Sequence, residues 1–303
     1  MEDALRSPVA ERVAALGYDF ATQPKDRPSS CNLCGSVDRQ VEVCRRDRYG
    51  LPAACVVCGR CGLGYLSPRL TEAGYASFYA TTYRPLVSAY HGRRIDAETV
   101  QVDQQGYAAS LVALLAPLLA RPPATILDVG GSTGVVARAV AGALGGRPTV
   151  IDPAPDELAV AATSGLEVIS GFAEDFEAGP RRWDLVLMCQ TIDHLLDVRR
   201  TLVALRGLTA DGGRAFVDVL DVELVMRRAG IEGAVKIDHP FYLTGTTAPA
   251  FFKLAGYTIV AERLTDDGHR GYVLAPGEPT QPDWAALEAH AVEFLDEIRR
   301  QSA

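Results

Sequence analysis

The sequence predicts a doubly wound α/β sheet, mostly parallel, preceded by a small metal-binding module. Three observations carry this reading. Short apolar runs alternate with helix-like segments after Pro123; a glycine-rich turn closes the first of those runs; and six of the seven cysteines lie between Cys31 and Cys61. Strands alternating with helices of this length need a parallel sheet, because a crossover helix must return the chain to the same edge.

The elements follow in order. Val9, Val13 and Leu16, with Leu5, recur at near-helical spacing and predict an N-terminal helix and linker over 1–27. The cysteine cluster bounds a module at 28–68. Tyr75, Phe78 and Tyr79, then Tyr107, Leu111, Leu114, Leu115 and Leu118, predict helices over 69–122. The α/β domain spans 123–278, and Trp284, Leu287, Ala291, Phe294 and Ile298 mark an amphipathic C-terminal helix within 279–303. Within the domain, Asp197 is a good N-cap ahead of Val198, Asp211-Gly-Gly213 reads as a turn, and Gly256 stops a helix over Ala248–Leu254. Strands at Thr258–Arg263 and Gly271–Ala275 follow, with His269 at a strand entry.

Composition narrows the function classes. Of 303 residues, 48% are hydrophobic and 22% charged, the profile of a folded globular protein. The net charge of -8 repels phosphate backbones and argues against nucleic acid as the main partner. Arg45, Arg46 and Arg48 read as a solvated edge. The start is charged, without a cleavable apolar region, and Leu111–Ala120 is too short to cross a bilayer. The expectation is a cytoplasmic protein with reduced thiols and no membrane partner; the sequence sets no oligomeric state.

The strongest local signal is Thr125-Ile-Leu-Asp-Val-Gly-Gly-Ser-Thr-Gly134. Glycines let the backbone turn sharply and approach a ligand without a Cβ in the way. The helix start beyond offers unpaired N–H groups. The next strand, Pro148–Ile151, ends in Asp152, where Rossmann-type folds place a carboxylate that accepts hydrogen bonds from ribose hydroxyls. The alternative for Asp152 is an N-cap of the helix after Pro153.

Cys31-Asn-Leu-Cys34-Gly and Cys58-Gly-Arg-Cys61-Gly are two C-x2-C knuckles. Two knuckles supply four thiolates, the usual structural zinc site, with no position left for substrate. Cys55 also forms a C-x2-C pair with Cys58; Cys58 and Cys61 are preferred because their spacing and trailing glycine match the first knuckle, and Cys44 and Cys55 read as buried small residues.

These stretches resemble class I SAM-dependent methyltransferases. Asp128-Val-Gly130-Gly131-Ser-Thr-Gly134 is similar to their first motif, and Asp152-Pro153 to their ribose-binding motif. Gly171-Phe-Ala-Glu-Asp-Phe176 is similar to their adenine-binding motif, and Trp183–Gln190 with Asp193-His194-Leu195 to their fourth strand and following loop. The resemblance covers roughly 96–276. It implies SAM bound by Asp128, Gly130, Gly131, Gly134, Asp152, Pro153, Phe172, Ala173, Glu174 and Gln190. Two residues depart from the pattern. Ser132 replaces a usual glycine, which a negative φ would accommodate. Phe172 replaces a usual acid, so that its ring would stack on adenine.

Cys61–Arg69, with Phe78, Tyr79 and Tyr83, resembles methyltransferases carrying an N-terminal zinc ribbon that modify sugars or other small metabolites in polysaccharide and natural-product pathways. That resemblance implies that Tyr79 and Tyr83 fold over the cofactor pocket, and a small-molecule acceptor methylated at oxygen or carbon, a sugar or nucleotide-sugar among the candidates. His239, in Asp238-His-Pro-Phe-Tyr242, is the expected general base, with Tyr242 shaping the acceptor pocket; His194 is the second candidate. His290 is expected to be solvated. Two other functions compete: an RNA methyltransferase with a zinc recognition module, and a non-catalytic binding protein on the same fold.

Overall fold

The computed structural model describes residues 8–95, 97–176 and 179–302. The chain gathers into two compact units. One joins Gln101–Asp221 to Thr244–Trp284; the other joins Met1–Val100, Val222–Leu243 and Ala285–Ala303.

The first unit is built on a seven-stranded sheet among the described residues. Its spatial order is Tyr257–Leu264, His269–Pro276, Thr209–Leu220, Trp183–Met188, Thr125–Val129, Arg147–Asp152 and Glu167–Ser170. The last five of these are parallel to one another, whereas His269–Pro276 and Tyr257–Leu264 enter antiparallel. Central strands covered on both faces should be continuously buried. Ile126, Leu127, Asp128 and Val129 all are, which places a carboxylate in the interior.

The chain leaves Thr125–Val129 toward one edge and returns on the other side at Trp183–Met188. The order therefore reverses between these two strands, and their carboxyl ends diverge into a crevice of the kind that receives ligands in doubly wound sheets. One face is covered by helices Ala97–Leu115 and Val135–Leu144. Ala108, Leu111, Leu115, Val136 and Val140 pack there on Ile126, Leu185, Leu187, Phe216 and Val273.

Local signals hold at several boundaries. The Asp197 side chain caps Val198–Leu208 by accepting from the Arg200 N–H at 3.0 Å. Gly256 ends Thr247–Ala255 in the left-handed conformation, φ 83°. Asp211-Gly-Gly213 does not form a separate turn: it lies inside the Thr209–Leu220 strand, where the register with Trp183–Met188 shifts. Ser132 also departs from expectation. Its φ is +52°, in the left-handed region, which costs a side-chain-bearing residue about 1–2 kcal/mol. Hydrogen bonds from its N–H to Asp152 and from its hydroxyl to Glu157 hold it there.

The second unit contains an antiparallel four-stranded sheet in the order Phe241–Tyr242, Gly64–Leu66, Cys55–Cys58, Gln40–Cys44. Helices Glu72–Thr81, Tyr83–His91, Val222–Ala234 and Trp284–Ser302 belong to it. Of the N-terminal helix, Pro8–Ala14 is described and Leu5 lies outside the described residues. Cys44 and Cys55 are buried and face each other across the strand pair, as small core residues do. Arg48 is not part of a solvated edge: it is half-buried, its guanidinium 4.0 Å from the Tyr90 ring centre. His290 is also not solvated. Its side chain is 13% exposed, its Nε2 lies 2.7 Å from Glu223 Oε1, and it packs against Gly62. No helix among the described residues is long and apolar enough to cross a membrane.

Packing is tight at Gly271 in the antiparallel strand His269–Pro276, where an added Cβ would stand 2.8 Å from the Phe216 ring. Phe216 is fully buried and cannot swing away. Gly271→Ala should lower stability by about 1–3 kcal/mol, read as a fall in thermal midpoint.

Candidate active site

The site starts at the turn after Thr125–Val129. Gly130 has φ +67°, and a Cβ there would stand 2.5 Å from Thr191 Cγ2. A Cβ on Gly131 would stand 2.7 Å from the Asp128 carboxyl carbon. The bare backbone thus passes between the Thr191 turn and the Asp128 side chain. Gly134 then opens helix Val135–Leu144, whose first N–H groups have no partner within the helix.

Two carboxylates lie under this turn. Asp128 is 1% exposed, and desolvation pushes its pKa up to about 7; the Ala137 N–H opposes this and the Asp152 charge adds to it. Both of its oxygens are buried without a close hydrogen-bond partner among the described residues. Asp152, also raised by desolvation, accepts from the Ser132 N–H at 3.0 Å and the Ala154 N–H at 2.8 Å, one on each oxygen. A carboxylate offers about four acceptor positions, so each oxygen keeps capacity for a further donor. Asp152 therefore orders the turn and can still receive a hydroxyl.

Of the remaining resemblance-derived positions, those in the sheet unit follow the carboxyl ends of its strands. Pro153 is exposed and Ala173 buried. Phe172 is 40% exposed and precedes the 3-10 turn Ala173–Asp175; the Glu174 side chain lies outside the described residues. Gln190 follows the end of Trp183–Met188 with φ +52°, a strained backbone for a side-chain-bearing residue. Tyr83 belongs to the other unit, where its ring packs edge-on to Tyr79 and Phe78.

Sequence reasoning missed a second feature of the sheet unit. A cavity of about 290 Å³ is lined by Gln190, Tyr107, Asp218, Arg263, Asp267 and His269, among others. Asp218 is 2% exposed; its Oδ2 accepts from the Tyr107 hydroxyl at 2.8 Å, and its Oδ1 lies 3.4 Å from His269 Nδ1. Burial opposes charge on His269, but Asp218, Asp267 and Asp193 outweigh it and raise its pKa above the ordinary histidine value. Cys189, whose thiol is pushed up by burial, interacts with Asp128 on one side and with Tyr107 and Asp218 on the other.

The scan of family models matches residues 100–262 to a methyltransferase domain. The chain belongs to that family. It is a SAM-dependent methyltransferase, and solved methyltransferases share its fold at low identity. The complex between the Haloferax volcanii Trm112 methyltransferase activator and the putative methyltransferase matches at 17% identity, over 61% of this chain and 94% of that one, with a TM-score of 0.51. Magnesium protoporphyrin IX methyltransferase from Synechocystis PCC 6803, with bound SAH, is 13% identical over 61% of this chain and 89% of that one, TM-score 0.49. No curated protein gives a significant match.

The other predicted residues of the methyltransferase lie in the second unit, apart from His194. That histidine, half-buried itself, ends the 3-10 turn Ile192–His194 in the sheet unit. His239 is 5% exposed, with Nε2 at 3.3 Å from Lys236 Nζ and 3.6 Å from Asp238 Oδ2. The Tyr242 hydroxyl donates to the Lys236 carbonyl at 2.6 Å and accepts from the Lys236 N–H at 3.0 Å. Both bonds thus go to the backbone of one residue, so Tyr242 braces the turn that carries His239. The four cysteines converge: Cys31 and Cys61 Sγ are 3.6 Å apart, as are Cys34 and Cys58, and all four sulfurs lie within 4.8 Å of one another. Such a set could hold one tetrahedral metal ion.

The buried Asp128 charge has a pH signature. Its native pKa of about 7 exceeds the reference 3.8, so the native state binds more protons between these values and stability falls as pH rises through the window. Asp128→Asn removes that cost. Its thermal midpoint should exceed that of the unmodified enzyme at pH 8, and the gain should vanish toward pH 4.

Proposed function

We propose that this methyltransferase acts on a small molecule and that SAM lies across the carboxyl ends of Thr125–Val129 and Arg147–Asp152. The observation that carries the reading is the spare acceptor capacity of Asp152 beside a glycine turn that a Cβ would block. Asp152 receives the ribose hydroxyls; the turn from Gly130 to Gly134 takes the amino-acid tail; Phe172, Ala173 and Glu174, with Pro153, flank the adenine. The buried carboxylate of Asp128 favours a cation close by, and the sulfonium nucleoside is one. When bound, SAM supplies an electrophilic methyl group; the protein's part is alignment and removal of a proton from the acceptor.

A small acceptor is supported by the volume of the cavity next to Gln190 and by the acidic net charge, which disfavours RNA. The resemblance of the cysteine module points to a sugar or nucleotide-sugar. On this reading Cys31, Cys34, Cys58 and Cys61 hold a structural zinc that keeps their unit folded and takes no part in the chemistry.

Two measurements test this reading. Calorimetry should show SAH binding, and Asp152→Ala should weaken it about ten- to a hundredfold; absence of heat with the unmodified enzyme would sink the cofactor assignment. Metal analysis should find one zinc per chain, lost in Cys58→Ser together with thermal stability. A folded, metal-free wild type would remove the zinc assignment alone.

A further inference from the structure

We propose that the cavity lined by Tyr107, Gln190, Asp218, Arg263 and His269 is the acceptor pocket, that His269 is the general base, and that the group it admits is an uncharged hydroxyl. The inference rests on the SAM-dependent reading above and deepens it. Three segments distant in sequence converge here: helix Ala97–Leu115 supplies Tyr107, strand Thr209–Leu220 supplies Asp218, and strand His269–Pro276 supplies His269. Register brings the last two together, since Asp218 pairs with Gly271 and Leu220 with His269 across the antiparallel strands. Alternation then puts Asp218, Gly271 and His269 on one face.

The arrangement is that of an oriented base. Asp218 is nearly fully buried, with the Tyr107 hydroxyl on one oxygen and His269 Nδ1 facing the other. A carboxylate so placed favours the Nδ1–H tautomer and stabilises the imidazolium that forms when Nε2 takes a proton. Asp218 and Tyr107 are positioning residues. The groups facing His269 are Asp218 from the neighbouring strand, Asp267 from its own turn, Asp193 from the turn after Trp183–Met188, and Tyr107, Asp266 and Arg263 around the cavity. Carboxylates outnumber the one guanidinium, so an anionic group such as a phosphate is repelled and a neutral polar one admitted.

Chemically, the acceptor oxygen attacks the sulfonium methyl carbon. The C–O bond forms as the C–S bond breaks, sulfur keeps that electron pair, and the hydroxyl proton passes to His269 Nε2 and then to water. Gln190 and Cys189 join this pocket to the glycine turn, because Cys189 interacts with both Asp128 and Asp218.

The test uses the full chain, CD3-labelled SAM and the fraction of a cell extract below about 3 kDa as the acceptor pool, with SAH calorimetry on every variant. His269→Gln should cut label transfer by about 100-fold or more with SAH affinity unchanged. Transfer by the unmodified enzyme should rise with pH through a midpoint above the ordinary histidine value, and Asp218→Asn should lower both rate and midpoint. Full transfer by His269→Gln, or loss of its SAH heat, would overturn the assignment; an unmodified enzyme that binds SAH yet labels nothing in this fraction, and labels bulk RNA supplied in a parallel reaction, would overturn the small-acceptor reading instead. NMR titration of the His269 imidazole needs no acceptor: a raised pKa that falls in Asp218→Asn is expected, and a value indifferent to that change contradicts the proposal.

Discussion

The carboxylate of Asp152 is the fastening on which the site depends. It reaches from the end of one strand to the Ser132 N–H in the glycine turn and to the Ala154 N–H at the start of its own loop. Those two bonds tie together the turns on either side of the ligand crevice and keep Ser132 in a conformation that side-chain-bearing residues avoid. The same carboxylate keeps acceptor capacity beyond those two bonds. One side chain therefore shapes the turn and keeps acceptor capacity, so the structural cap and the proposed ribose contact do not exclude each other.

Asp128 is a different kind of commitment. A carboxylate placed in a strand buried on both faces opposes its own ionisation, and nothing local compensates it well. Its neighbours extend through Cys189 to Tyr107, Asp218 and His269. The sheet unit thus gathers Asp128, Cys189, Asp218 and His269 near the carboxyl ends of its parallel strands, while the face under Ala97–Leu115 and Val135–Leu144 is apolar. That asymmetry gives the sheet a chemically active edge.

What was legible in the sequence was local. The strand-turn-helix over Thr125–Leu144, the Asp197 cap, the Gly256 stop and the two cysteine knuckles each depend on residues a few positions apart, and spacing reports them directly. The Asp218–His269 pair was not legible, because it requires the register of two antiparallel strands, and His269 reads in isolation as a strand entry. The left-handed Ser132 was missed because its stabilising partner, Asp152, arrives from the next strand. The burial of His290 was missed for a like reason: Glu223 and Gly62 come from segments far from it in the chain. Likewise, no periodicity shows that Val222–Leu243 and Ala285–Ala303 group with the cysteine-bearing part of the chain.

The most direct measurement is a crystal structure of the full chain grown with SAH. The account predicts electron density for the nucleoside across the two strand ends, ribose oxygens within hydrogen-bond distance of Asp152 and the homocysteine tail against Gly130 and Gly131. SAH seated elsewhere on the sheet unit, with the Asp152 carboxylate turned away from it, would contradict the account.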